Sequence, residues 1–248
     1  MLLALDIGNS NIKSAFFDDG NFIEFKVHSD IEETINYLNN KTFSEAAICS
    51  VNPSNEKILI DVLLNRNISL FKPTINSKVN FKIKYKTPAT LGMDRVCSAV
   101  GAYELAQEKK LLLKNQYLVT IDFGTATTIN IVSPESNFIG GLIAPGIKTM
   151  LSSLNEKTAQ LPLPDLNSYE NLVGDSTNSS ILSGVYNATI GMINETINHL
   201  KELCSGIEPI IFATGGNAKI IIPYLKQKIF YDEALVLKGL KIIYELNR

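Results

Sequence analysis

The sequence predicts an α/β protein made of two similar halves, and three observations carry that expectation. First, Leu2-Leu3-Ala4-Leu5-Asp6-Ile7-Gly8-Asn9-Ser10-Asn11-Ile12-Lys13-Ser14-Ala15-Phe16-Phe17 reads as an apolar strand, a turn holding Asp and Gly, and a second apolar strand. Second, Leu118-Val119-Thr120-Ile121-Asp122-Phe123-Gly124-Thr125-Ala126-Thr127-Thr128-Ile129-Asn130-Ile131-Val132 repeats that phrase without a gap, Asp6 matching Asp122 and Gly8 matching Gly124. Third, strands and helices alternate after the first hairpin, the pattern of a mixed sheet covered by helices.

The elements follow in order. Asp18-Asp19-Gly20-Asn21 supplies a turn and Phe22-Ile23-Glu24-Phe25 a third strand, matched downstream by Asn137-Phe138-Ile139. Residues 30–40 fit a short helix capped by Ser29 or Asp30, with Ile31, Ile35 and Leu38 on one face. Ala46-Ala47-Ile48-Cys49-Ser50-Val51 reads as a buried strand, Asn52-Pro53-Ser54-Asn55 as its end, and residues 56–66 as a helix. Phe81-Lys82-Ile83-Lys84-Tyr85 alternates as an extended segment. Helical spacing begins at Val96, so Asp94 and Arg95 fall in or just before the first turn. The charge cluster Glu108-Lys109-Lys110 with Lys114 precedes the repeat, which sets domains at 1–114 and 115–248.

In the second half, Gly140-Gly141-Leu142-Ile143-Ala144-Pro145-Gly146 reads as a shaped loop, followed by a helix over 148–160. Leu161-Pro162-Leu163-Pro164 stops that helix. Gly174-Asp175-Ser176-Thr177 opens a long helix in which Gly184 and Gly191 suit close helix packing. Pro209-Ile210-Ile211-Phe212-Ala213-Thr214-Gly215-Gly216 is a buried strand running into paired glycines, the counterpart of the strand at Ala46. A helix near Leu235 to Tyr244 closes the chain.

Composition narrows the chemistry. The 248 residues suit two modest domains, and the net charge of -2 gives no general affinity for nucleic acid or anionic membrane. No apolar run is long enough to span a bilayer and the N-terminus lacks a signal-peptide pattern, so a cytoplasmic location is expected. Cys49, Cys97 and Cys204 lack the spacing of a disulfide framework or zinc cluster, and His28 and His199 are the only histidines. A histidine-based triad has little material here.

The turns themselves suit anions. Glycine removes the Cβ and lets backbone N–H groups approach a phosphate, and Asn9, Ser10, Thr125, Thr127 and Thr128 add short hydrogen-bonding side chains. An Asp at a strand end can reach a metal ion directly or through water. Asp94 beside Arg95 suits a general base next to an anion clamp, with Gly92 allowing close approach. Asp122-Phe123-Gly124 also occurs in protein kinases, but neither a Gly-rich loop nor a His-Arg-Asp segment accompanies it.

Five stretches agree in order and spacing with a known family. Asp6-x-Gly8-Asn9-Ser10, Pro88-x-x-Leu91-Gly92-x-Asp94-Arg95, Asp122-Phe123-Gly124-Thr125-Ala126-Thr127-Thr128, Gly140-Gly141-x-Ile143-x-Pro145-Gly146 and Thr214-Gly215-Gly216 together resemble type III pantothenate kinase. Ser10 stands where Thr is usual, and Lys13 where an apolar residue is common. The resemblance implies two duplicated ribonuclease H-like domains with a cleft between them, the fold of acetate and sugar kinases, heat-shock ATPases and actin. It implies ATP-dependent phosphorylation of pantothenate, the first step of coenzyme A biosynthesis. Matched by position, Asp6, Ile7, Gly8, Asn9, Ser10, Asn11, Ile12 and Lys13 hold ATP phosphates, with Asp6 toward Mg²⁺, and Thr125 contacts ATP. Asp94 is the base for the pantothenate hydroxyl, and Tyr85, Gly92, Met93, Arg95 and Thr177 line the substrate. Asp122 holds a monovalent cation, K⁺ or NH₄⁺, and the chain forms a homodimer. Another small-molecule kinase of the same fold, or a non-catalytic transcription accessory relative, are the alternatives.

Overall fold

The computed structural model describes residues 1–111 and 115–248. Leu112, Leu113 and Lys114, where the domain boundary is expected, lie outside the described residues. By packing, the chain forms two compact units. One comprises Met1–Lys110, Ser136–Ile139 and Ala234–Arg248, and the other Leu111–Glu135 and Gly140–Glu233. A single cut after Lys114 therefore does not separate them, because the C-terminal helix packs with the first half.

In the first unit, β1 (Leu2–Ile7), β2 (Ile12–Asp18) and β3 (Asn21–His28) form the expected antiparallel meander. After α1 (Ile31–Asn39), β4 (Glu45–Ser50) pairs parallel to β1, and after α2 (Pro53–Asn65), β5 (Ser69–Phe71) pairs parallel to β4. The order is β3-β2-β1-β4-β5. Side chains alternate across a strand. Leu3, Leu5 and Ile7 pack with Ile48, Leu38, Leu59 and Leu63 beneath α1 and α2, which leaves Asp6 and Cys49 on the opposite face.

Local chemistry sets the helix starts. The Asp30 side chain accepts the Glu33 N–H at 2.8 Å, and the Glu33 carboxylate accepts the Ser29 N–H at 2.8 Å. Reciprocal caps of this kind contribute about 1 kcal/mol. The helix expected over 56–66 begins earlier, at Pro53, with Asn52 accepting the Asn55 N–H. Proline at the first helical position lacks only an N–H that would have no partner there, so Asn52-Pro53 starts the helix rather than ending the strand.

The other face of this sheet is covered by α3 (Met93–Glu108) and α7 (Leu235–Leu246). These two helices meet backbone to backbone. A Cβ on Gly239 would lie 1.8 Å from the Cys97 carbonyl oxygen, and one on Gly101 would lie 2.4 Å from that of Leu235. A short strand, β6 (Lys82–Ile83), pairs with Asn137 and Phe138. It stacks the Phe81 ring on Phe138 at 6.2 Å.

The same unit buries a histidine. His28 is 0% exposed, and its Nε2 lies 2.8 Å from the Ser14 hydroxyl. Burial, then the charge on Lys26, lowers the His28 pKa, against smaller opposing effects of Glu33 and Asp30. A depressed histidine stabilises the fold above its unfolded value near 6.5, and that stability is lost as pH falls through the folded value. The melting-temperature advantage of the wild type over His28→Gln is thus expected to be largest at pH 7.5 and to shrink by pH 5.5. A pH-independent difference would show that His28 does not titrate on unfolding.

In the second unit, β7 (Leu118–Phe123) and β8 (Ala126–Val132) form the repeated hairpin. β10 (Ile210–Thr214) runs parallel to β7, as β4 does to β1, and β11 (Ile229–Tyr231) runs parallel to β10. Val119, Ile121 and Phe123 face α4 (Ile147–Lys157), α5 (Thr177–Leu203) and α6 (Ala218–Ile221), leaving Asp122 on the opposite face. Ser176 caps α5 with Ser179 in a reciprocal box.

Three readings change here. The Gly140–Gly146 stretch is not a loop: β9 (Asn137–Pro145) runs through most of it. Gly141 has φ +151, and a Cβ there would lie 1.7 Å from the Ile129 carbonyl oxygen, so these glycines serve close strand approach. A Cβ on Gly184 or on Gly191 would meet nothing within 4 Å, so neither glycine serves close helix packing. The ungapped repeat also fails at its turn. Asp6 stands opposite Lys13, whereas Asp122 stands opposite Thr128, so the first turn holds one residue more.

Candidate active site

The first hairpin turn sits at the end of β1. The Gly8 N–H donates to the Asn11 carbonyl at 3.1 Å, and a Cβ on Gly8 would lie 2.9 Å from that oxygen, so only glycine closes the turn without a shift. Asn9, Ser10 and Asn11 are exposed at its tip, while Ile7 and Ile12 anchor its base in the core. Lys13 lies opposite Asp6 across the hairpin, and both are half-buried on the face covered by α3 and α7. In register, Lys13 occupies the place that Thr128 holds opposite Asp122.

Asp94 occupies the first turn of α3, as the spacing predicts. Gly92 caps this helix without a side chain, and a Cβ there would lie 2.4 Å from Oδ1 of Asp94. The carboxylate thus folds back over the helix start, where it accepts from the Arg95 backbone N–H and its own. Burial dominates nonetheless and pushes the Asp94 carboxyl above the usual carboxylate range, against those N–H groups and the Arg95 charge. Arg95 is 6% exposed, and its guanidinium lies 5.9 Å from the Tyr85 ring centre and 5.9 Å from that of Phe138. Met93 opens the helix beside them.

One buried thiol joins the two motifs. Cys49 stands opposite Asp6 on β4, and its thiol is hydrogen-bonded to that of Cys97, one turn beyond Asp94 on α3. That bond, then burial, holds the Cys49 thiol well above its usual range, and the charges of Asp6 and Asp94 both raise it further. Asp6 at the end of β1 and Asp94 at the start of α3 thus belong to the same face of the first unit's sheet and the helix that covers it. The residue pattern alone assigns Cys49, Cys97 and Phe138 no role at this site. The one available signal was that Cys49 lies near the end of the buried strand read over residues 46–51.

In the second unit the Asp122 turn is clasped from two sides. The Thr125 carbonyl accepts from the Gly146 N–H at 2.9 Å and from the Thr149 hydroxyl at 2.6 Å. The Gly124 carbonyl accepts from Asn217 Nδ2 at 3.3 Å, and the Phe123 carbonyl from the Asn217 N–H at 3.0 Å. Gly215 has φ +95, and a Cβ there would lie 2.4 Å from Oδ1 of Asp122. This explains the Thr-Gly-Gly stretch: it brings backbone against the carboxylate. Thr149 and Asn217 are contributors that no sequence motif singles out. Thr177 is exposed at the first position of α5, beside an open depression that includes Asp175 and Ser180.

Comparison with known proteins decides the family. Residues 2–199 match the family described as type III pantothenate kinase. The type III pantothenate kinase of Flavobacterium johnsoniae is 31% identical over 99% of this chain and 98% of its own. That of Sulfurihydrogenibium sp. is 34% identical over 100% of both. This chain belongs to the type III pantothenate kinase family. It is accordingly a phosphotransferase, and the family's step is the first of coenzyme A biosynthesis. A Campylobacter jejuni protein assigned to the Baf family of transcriptional activators superposes with a TM-score of 0.60 at 20% identity, over 99% of this chain and 98% of that one. That likeness concerns the fold alone.

Among the described residues, no group of three or more His, Cys, Asp or Glu side chains gathers to hold a metal ion. No helix among the described residues is long and apolar enough to cross a membrane.

Proposed function

We propose that this kinase transfers the γ-phosphoryl of ATP to the primary hydroxyl of pantothenate, with Asp94 as the general base. The observation that supports this most is that α3, with Asp94 in its first turn, packs on the face of the first sheet that carries Asp6. It puts the acid of a phosphate-binding turn and a carboxylate suited to accept a proton on one side of the sheet. Phosphoryl transfer depends mainly on positioning and charge neutralisation, so the protein needs little else.

The roles follow from placement. Residues Asp6 to Lys13 cradle the nucleotide phosphates, with Asn9, Ser10 and Asn11 exposed at the tip of the turn. Mg²⁺ near Asp6 neutralises phosphate charge when bound. Arg95 lies against the Tyr85 and Phe138 rings and presents a guanidinium to the pantothenate carboxylate. Gly92 and Met93 border the acceptor hydroxyl. In the second unit, Asp122 and the adjoining turn hold a monovalent cation, and Thr125 meets ATP. Thr177, with its hydroxyl exposed at a helix start, contacts substrate.

The homodimer is proposed on chemical grounds as well as resemblance. Leu163, Leu172 and Val173 are 59%, 69% and 81% exposed in the stretch leading to α5. Large apolar side chains exposed together mark association surfaces. A cytoplasmic location accords with an ATP-consuming step.

The test is ADP release from ATP and Mg²⁺, with and without pantothenate, in potassium and then in sodium. Pantothenate-dependent release stimulated by potassium is expected. Release without cation preference would remove Asp122 as a cation ligand but keep the kinase. No pantothenate-dependent release in either salt would favour another acceptor or a regulatory protein.

A further inference from the structure

We propose that Phe138 is a positioning residue for the acceptor site: its ring holds Arg95 and Tyr85 in the directions in which they meet pantothenate. The inference rests on the reading of Arg95 and Tyr85 as substrate contacts.

Phe138 sits where three pieces of chain are fastened together. Residues Ser136–Ile139 belong to the first compact unit, although the residues on either side belong to the other. Backbone bonds tie this segment to β6. The Lys82 N–H donates to the Ser136 carbonyl at 3.0 Å, and the Lys84 N–H to the Phe138 carbonyl at 2.8 Å. A side-chain bond ties it to α3, where the Tyr103 hydroxyl lies 2.8 Å from that of Ser136. Tyr85 follows Lys84 directly, and Arg95 lies in the first turn of α3. The segment is therefore attached to both stretches that carry the two substrate residues.

The ring completes the arrangement. Phe138 is 0% exposed, and its ring is tilted only 20° from that of Phe81. The Tyr85 ring meets it edge-on, with centres 6.3 Å apart. The Arg95 guanidinium lies over both the Phe138 and the Tyr85 ring, so the three side chains form a closed triangle.

Arg95 has a physical need for such a hold. The first turn of a helix is the positive end of its dipole and disfavours a cation. Its burial also removes most of the water that would steady the charge. The charge of Asp94 offsets part of this. Aromatic faces do something a carboxylate cannot: they attract the guanidinium while remaining neutral. They also engage its plane, whereas its N–H donors point outward along the edge, the geometry that takes up a carboxylate. A ring at position 138 thus steadies a substrate-binding cation without competing for the donors that bind the substrate.

The experiment measures steady-state kinetics for both substrates in the full-length enzyme. Phe138→Met fills the core with a flexible side chain but removes the ring face. The pantothenate KM is expected to rise about 10–100-fold, the scale of a misplaced contact, while the ATP KM stays within about twofold. Phe16→Met, in the core on the other face of the first sheet, is the comparator. It should lower the melting temperature and leave the pantothenate KM unchanged. Phe138→Met combined with Arg95→Gln should lose less kcat/KM for pantothenate than the product of the two single losses, because the ring acts through the guanidinium. An unchanged pantothenate KM in Phe138→Met, an equal rise in both KM values, an equal rise in Phe16→Met, or a double variant at the full product overturns the proposal. If Phe138→Met fails to fold, 3,4,5-trifluorophenylalanine at position 138 keeps the shape and withdraws charge from the ring face. A raised pantothenate KM then supports the proposal and a wild-type value overturns it. Failure of the underlying site reading appears separately, as a wild-type pantothenate KM in Arg95→Gln alone.

Discussion

Asp94→Asn is expected to lower turnover by roughly 10²–10⁴-fold, the usual contribution of a general base, while raising the melting temperature at neutral pH. The two effects share one cause. Burial raises the Asp94 pKa above that of an exposed carboxylate, although the α3 N–H groups and Arg95 oppose this. In the fold the ionised form is therefore less favourable than in the unfolded chain. For a group raised in this way, the stabilising contribution is full below the unfolded pKa near 3.9 and is lost as pH rises through the folded value. At neutral pH the enzyme carries a carboxylate that folding disfavours. Asn keeps an oxygen for the helix N–H groups and removes the charge.

The pH dependence separates this from a packing effect. The melting-temperature gain of Asp94→Asn over wild type should be largest above the folded pKa of Asp94 and should vanish toward acid. Wild-type turnover should fall as pH drops through that same value, because the base must be ionised to accept the hydroxyl proton. Substrate binding, followed by calorimetry, should persist in the variant. Full turnover in Asp94→Asn would reject the base assignment. A variant less stable than wild type at neutral pH would mean that the carboxylate's helix-start contacts outweigh its burial.

Much of this was legible in the residues, and the exceptions have physical reasons. The meander, the buried strands and the α3 start follow from apolar periodicity and turn chemistry, which are local signals. Asp6 and Asp122 were legible because the repeat preserves them in sequence. The register was not: one extra residue in the first turn shifts the pairing of Lys13 without disturbing the ungapped alignment of Asp and Gly. The glycines of β9 looked like a loop because composition does not distinguish a turn from two backbones in close contact. Tertiary neighbours were also silent. Nothing near Arg95 in sequence announces Phe138, and nothing near Cys97 announces Cys49 or Gly239. The reassignment of residues 234–248 is the largest such case, because a helix's own pattern says which face is apolar but not which unit covers it.

That last helix gives the second large effect. A chain ending at Glu233 is expected to lose the first unit's cooperative fold, though every residue of β1 to α3 is still present. Leu235, Val236, Leu237, Leu240 and Ile243 are each 0–2% exposed. Burying an aliphatic side chain contributes about 1.5–3 kcal/mol, so five contribute about 7–15 kcal/mol as an upper figure. A domain's whole stability is about 5–15 kcal/mol. Removing α7 also uncovers the α3 backbone at Cys97 and Gly101, where the two helices meet. Limited proteolysis should then cut within residues 1–110 while segments of the second unit stay protected, and near-ultraviolet circular dichroism from the first unit's aromatic residues should weaken. Catalysis should vanish with it, because the turn of α3 that follows Asp94 is held against α7 at Gly239. A truncated chain that unfolds cooperatively at the wild-type temperature would place the stability of the first unit in its sheet and in α1 and α2 alone, and would remove the C-terminal helix from any part in positioning the base.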